Sequence, residues 1–196
     1  MDTLNGGGSS GISKQALRRI LRDRRARFVE ALPPSAHALA FHVLPAPVLR
    51  KLPVNGTVAL YHAIGDEAPT RAIAEQLDRS GYALALPRIA ADARTMVFAS
   101  WHPDRLLHPG AFRTLQPDPD APVVTPDVII APVVGFDLAL NRLGQGGGFY
   151  DRAFAACPDA LRIGLAWSVQ MVEQVPTEPF DLPLDLVVTE AAFYEG

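Results

Sequence analysis

Hydrophobic positions along the chain switch between a helical and a strand-like period in a repeating order. Around residues 13–32, Leu17, Ile20, Leu21 and Phe28 recur three to four apart, predicting an amphipathic helix with Ser13 as its N-cap. Pro33-Pro34 ends it, and residues 35–44 and 47–52 read as shorter helical pieces broken by proline. Residues 54–62, centred on Thr57-Val58-Ala59-Leu60-Tyr61, form the first clear strand after the turn signal Asn55-Gly56. A loop over residues 63–69 follows, with Asp66 and Glu67. Thr70 then stands where it can cap a helix over residues 71–79 with Ala72, Ile73 and Leu77 inward.

Strands are predicted over residues 83–88 and 95–101, then a proline- and glycine-rich stretch over 103–126. Residues 126–134 are the most apolar run, as expected of a central strand covered on both faces. A helix over 153–156, a strand over 161–166, a loop or short helix over 167–175 and a strand over 186–188 complete the pattern. Such alternation implies one three-layer α/β domain with a mainly parallel sheet, spanning residues 13–196. Residues 1–12, with Gly6-Gly7-Gly8-Ser9-Ser10-Gly11, have the composition of a flexible segment.

Composition narrows the function. The 196 residues are 48% hydrophobic and 20% charged, enough for a real core, and the net charge of −3 gives no general field for nucleic acid. An anionic ligand must therefore be met locally. The one cysteine, Cys157, excludes an intramolecular disulfide and fits a reducing compartment. Nothing in the chain approaches the roughly 20 apolar residues of a membrane span, so it reads as cytoplasmic, without membrane or nucleic-acid partners, and as a monomer. Among the five histidines no pair has zinc-ligand spacing.

The chemistry concentrates after the central strand, in Asn141-Arg142-Leu143-Gly144-Gln145-Gly146-Gly147-Gly148-Phe149-Tyr150-Asp151-Arg152. Four glycines between a strand and a helix allow left-handed backbone and close ligand approach, and bared N–H groups beside a helix start suit phosphate. Neither standard nucleotide fingerprint is matched. The GK[ST] ending is missing, and the third glycine of a dinucleotide motif would fall on Phe149. Arg142 is suited to clamp phosphate oxygens and Asp151 to serve a metal beside them, although a glycine-rich surface turn with ordinary charges has the same spacing. Lys14 and Arg18, four apart on the first helix, read either as a solvated basic face or as cations over phosphates. Glu67, at a strand's carboxyl end, is placed for a ligand or simply beside a helix start. Trp101 and Phe112 could stack on a flat heterocycle or fill core.

The glycine stretch, preceded by Pro132-Val133-Val134-Gly135-Phe136-Asp137, resembles the signature of the 5-formyltetrahydrofolate cyclo-ligase family. The resemblance extends from Lys14 to Glu190, with Pro176-Thr177-Glu178-Pro179-Phe180-Asp181 as a second similar segment. It implies a fold akin to the NagB/RpiA/CoA-transferase-like group. The implied reaction is ATP- and Mg²⁺-dependent conversion of 5-formyltetrahydrofolate to 5,10-methenyltetrahydrofolate, with ADP and phosphate released.

By the same resemblance, Lys14, Arg18, Arg142, Leu143, Gly144, Gln145, Gly146, Gly147, Gly148, Phe149 and Tyr150 would bind ATP. Arg142, Lys14 and Tyr150 would be catalytic, and Asp151 and Asp185 would hold Mg²⁺. Glu67, Trp101, Gln116 and Phe149 would contact the reduced formyl-folate. The chain departs from the family's Gly-x-Phe-Gly-x-x-Glu-Pro turn at Arg113, in place of glycine, and Gln116, in place of glutamate. A folate-binding protein without turnover, or a nucleotide or phosphosugar enzyme of the same fold, are the alternatives.

Overall fold

The computed structural model describes residues 12–90, 92 and 94–196, so the segment expected to be flexible lies outside the described residues apart from Ile12. An eight-stranded sheet organises the rest. Its strands, in chain order, are β1 (Thr57–Ala59), β2 (Ala83–Ile89), β3 (Met96–Trp101), β6 (Val123–Val124), β7 (Val128–Pro132), β10 (Leu161–Leu165), β11 (Leu186–Val188) and β12 (Phe193–Glu195). Two short antiparallel hairpins stand apart from it, β4 (His108–Pro109) with β5 (Leu115–Gln116), and β8 (Gly135–Phe136) with β9 (Arg142–Leu143).

The order across the sheet is β12-β11-β10-β7-β1-β2-β3-β6. From β11 to β2 all pairs are parallel, while β12, β3 and β6 run antiparallel at the edges. β7 is central, as its apolar run predicts. Val128 and Ile130 join one core and Ile129 and Ala131 the other, because successive strand residues point to opposite faces. Helix α4 (Arg71–Arg79) covers the first face with Ile73, Ala74 and Leu77. Helix α5 (Phe149–Ala156) covers the second with Ala153 and Phe154. The three-layer arrangement follows from those two apolar faces.

Helix α1 (Lys14–Ala31) starts where the sequence places it, with the Ser13 side chain accepting from the Ala16 N–H at 3.2 Å. Its inner stripe differs from the expected one. Leu17 and Leu21 are buried, but Ile20 is 41% exposed and Arg25 only 8% exposed. The shorter helices are α2 (Pro34–Leu39) and α3 (Ala46–Leu49), each opening on a residue after proline. Thr70 does not cap α4 with its side chain; its hydroxyl donates to the Tyr61 carbonyl, fastening the loop between β1 and α4. Helix α5 begins at Phe149, four residues earlier than expected, because Gly148 turns the chain in the left-handed region at φ 64°.

Candidate functional site

A cavity of about 950 Å³ opens beyond the carboxyl ends of β1, β2 and β7, where open α/β sheets receive ligands. Its walls come from α1, the loop after β1, the turn around residue 112 and the glycine stretch leading into α5. The sequence-expected residues Lys14, Arg18, Glu67, Arg142, Leu143, Gly144, Gln145, Gly146, Gly147, Gly148, Phe149, Tyr150 and Asp151 all line it.

Backbone chemistry explains the glycine stretch. After β7 the chain makes the β8–β9 hairpin, anchored by the Asp137 carboxylate, which is 2% exposed. It accepts from Asn141 N (3.0 Å), Asn141 Nδ2 (3.1 Å) and Val175 N (2.9 Å). Gly135 lets α1 cross close to the hairpin, since a Cβ there would meet Leu21 Cδ1 at 2.4 Å and push that buried side chain aside. Gly146 and Gly148 then take φ of 103° and 64°. Arg18 Nε donates to the Gly144 carbonyl at 2.8 Å, joining α1 to the loop.

Arg142 is held rigidly. Its side chain is 4% exposed, Nη2 lies 2.8 Å from Asp151 Oδ1, and the guanidinium sits 5.6 Å from the Tyr150 ring centroid and 5.5 Å from that of Phe154. Its Nε is buried without a hydrogen-bond partner. Lys14 Nζ contacts Asp181 Oδ2 at 2.5 Å and Glu178 Oε2 at 3.3 Å, so this lysine reaches the cavity already paired with the segment that the sequence marks as Pro-Thr-Glu-Pro-Phe-Asp. Glu67 Oε2 accepts from Ile64 N at 3.0 Å and Oε1 from Gln145 Nε2 at 2.8 Å, while Gln145 Oε1 accepts from Arg22 Nη2 at 2.6 Å. Gln145 thus bridges α1 to the loop after β1.

Three expected contacts are not brought to the cavity. Asp185 stands at the amino-terminal entry to β11, the opposite end of the sheet, with its carboxylate on Arg162 Nη2 at 2.9 Å and on Arg162 N at 2.8 Å. A metal shared with Asp151 is therefore not supported by its placement. Trp101 ends β3 against the first core and a second cavity of about 450 Å³, beyond the main one. Gln116 is 6% exposed and braces the neighbouring turn, Oε1 accepting from Ile89 N at 3.2 Å and Nε2 donating to Thr114 Oγ1 at 2.8 Å. The Thr114 hydroxyl already donates to the Ala111 carbonyl, so its oxygen needs a donor. An amide supplies one and a glutamate carboxylate would not.

In that same turn Phe112 lines the cavity edge-on to Phe149, with ring centroids 5.8 Å apart. Phe112 and Arg113 both lie in the left-handed region, at φ 56° and 61°. Only glycine adopts that region without strain. Arg113→Gly is expected to stabilise the fold by about 1 kcal/mol, read as a higher urea midpoint at unchanged m-value.

Burial pushes the phenols of Tyr61 and Tyr150 well above their ordinary value of 10, and the Glu67 charge pushes them further. Arg25 opposes this at Tyr61 and Arg142 at Tyr150. Tyr150 thus stays a neutral donor at physiological pH rather than a base. Because the unfolded chain ionises its tyrosines near pH 10 and the folded chain does not, the stabilisation is complete below pH 10 and is lost as pH climbs above it. A thermal melt series should show Tm falling from about pH 10 upward, and Tyr61→Phe should flatten that fall.

Among the described residues no group of three or more His, Cys, Asp or Glu is arranged to hold a metal. A magnesium ion carried by a nucleotide needs only one or two protein carboxylates, and Asp151 at the cavity wall fits that requirement.

Residues 10–190 match the 5-formyltetrahydrofolate cyclo-ligase family. The chain is 36% identical over 146 residues to the 5-formyltetrahydrofolate cyclo-ligase of Escherichia coli K12, covering 71% of this chain and 80% of that protein. Against the Haemophilus influenzae cyclo-ligase it is 33% identical over 139 residues, covering 67% and 74%. The NMR structure of Aquifex aeolicus 5,10-methenyltetrahydrofolate synthetase superposes with a TM-score of 0.75 at 28% identity, covering 94% of this chain and 93% of that one.

Proposed function

The chain belongs to the 5-formyltetrahydrofolate cyclo-ligase family, and from that premise we propose that its cavity joins MgATP to 5-formyltetrahydrofolate and closes the latter to 5,10-methenyltetrahydrofolate. The observation that carries the reading is one cavity lined both by a phosphate-type loop and by a carboxylate. It sets glycine-loop backbone with Arg18 and Arg142 beside the Glu67 carboxylate on the loop after β1.

The N5-formyl oxygen is a poor leaving group, so it must be activated. In the proposed sequence it attacks the γ-phosphorus of ATP, ADP departs, and a formyl phosphate linked to N5 forms. N10 then attacks the activated carbon and loses its proton, and the C–O bond breaks to release phosphate. No side-chain nucleophile is required; the protein positions two ligands and stabilises charge.

Loop amides of Gly144 to Gly148 cradle the triphosphate, and Arg18 and Arg142 neutralise its oxygens. Lys14 joins them by exchanging Asp181 and Glu178 for phosphate. Tyr150 donates a hydrogen bond as a neutral phenol, and Phe149 walls the folate from the nucleotide. Glu67 accepts from the pterin amine and ring N–H once Gln145 Nε2 leaves it. Asp151 would hold the Mg²⁺ that neutralises the phosphates. Thermal melts test the ligand class, since only a ligand that prefers the folded state raises Tm. Formyl-folate should raise it and a sugar phosphate should not; the reverse would replace this reading with a phosphosugar enzyme.

A further inference from the structure

One buried cation in the cavity has no assigned task. Arg25 on α1 is 8% exposed, its Nε and Nη1 are buried without a hydrogen-bond partner, and it lines the cavity. A guanidinium does not lose its proton to escape burial, and an unpartnered one is costly. A site of this kind is complete only when a ligand brings the acceptor.

Its place on the helix says which ligand. Arg25 follows Arg18 by seven residues, or roughly 10 Å along the axis, and lies beyond Arg22, the last residue of α1 that donates to the glycine loop. Three residues on, Phe28 packs on Trp167 with centroids 5.6 Å apart, and Trp167 Nε1 donates to the Asp66 carbonyl at 2.9 Å. The carboxyl-terminal half of α1 is thus laid against the loop that carries Glu67. Arg25 also acts on Tyr61, at the start of that loop. A carboxylate and an unpartnered guanidinium lining one cavity match a cyclic amide, which presents an N–H and a carbonyl oxygen on adjacent atoms.

Resting on the formyl-folate reading above, we propose that Arg25 is a substrate-recognition residue that donates a guanidinium N–H to the C4 oxygen of the pterin, while Glu67 takes the adjacent N–H groups. Arg25 therefore selects a 4-oxo over a 4-amino pteridine.

Calorimetric titration of wild type, Arg25→Gln and Arg25→Leu with 5-formyltetrahydrofolate and with its 4-amino-4-deoxy analogue tests this. The preference for the 4-oxo ligand should shrink by roughly 10- to 100-fold in both variants, the range for a hydrogen bond from a charged donor. ATP affinity should change by less than about threefold, and the Tm of unliganded Arg25→Leu should not fall, because an uncompensated buried charge has been removed. A 4-oxo preference that survives in both variants overturns the assignment of Arg25 and leaves the proposed reaction standing. Failure of wild type to bind formyl-folate at all overturns the proposed function beneath it.

Discussion

Replacing Arg142 by alanine is expected to lower kcat by roughly 10²- to 10³-fold, the cost of losing one preorganised charge-stabilising donor. The guanidinium is placed before any ligand arrives. Asp151 holds one edge, Tyr150 and Phe154 pack beside it, and Nε remains buried without a partner. Little reorganisation then accompanies charge development on a transferring phosphoryl group. Arg142→Lys should recover only part of the loss, because an ammonium cannot keep the Asp151 contact and present a second donor in the same plane. Steady-state kinetics on variants whose far-ultraviolet circular dichroism matches wild type would separate this effect from unfolding.

Asp137→Ala should destabilise the fold by about 3 kcal/mol, as the buried backbone N–H of Val175 and the part-buried one of Asn141 lose the carboxylate that accepts from them. For a chain of this length that corresponds to a Tm lower by roughly 6–12 °C. Asp137 ties the β8–β9 hairpin to the segment around Val175, and Arg142 is the first residue of β9 in that hairpin. Activity should fall with stability, and Asp137→Asn, which keeps one acceptor oxygen, should lie between the two.

What was readable in the sequence had local causes. The glycine loop, its helix and the pair Lys14 and Arg18 depend on spacing within a dozen residues, and all of them line the cavity. The parallel sheet was readable because β7 is apolar at every position but needs both faces covered. Assignments failed where they depended on which way a strand points. Asp185 is adjacent to a strand as expected, but at its entry rather than its exit, and strand direction decides whether it meets Asp151 or Arg162.

Trp101 and Gln116 failed for a related reason. Side-chain alternation sends Trp101 to the first core, and the turn's own hydrogen bonds claim Gln116. Arg25 is not legible from the hydrophobic stripe, because a cation takes a buried place on the helix while Ile20 is 41% exposed. A seven-residue offset from Arg18 puts it on a similar helix face, and that spacing was the available signal. The Arg113 departure was visible, but only the left-handed backbone at that residue shows why glycine suits the place.

Formation of methenyltetrahydrofolate from 5-formyltetrahydrofolate, followed by its absorbance with and without MgATP in wild type and Asp151→Ala, tests the central claim most directly. The account predicts product that requires MgATP in wild type and nearly vanishes in the variant. Product that forms without ATP, or a wild type that binds both ligands and makes none, would contradict it.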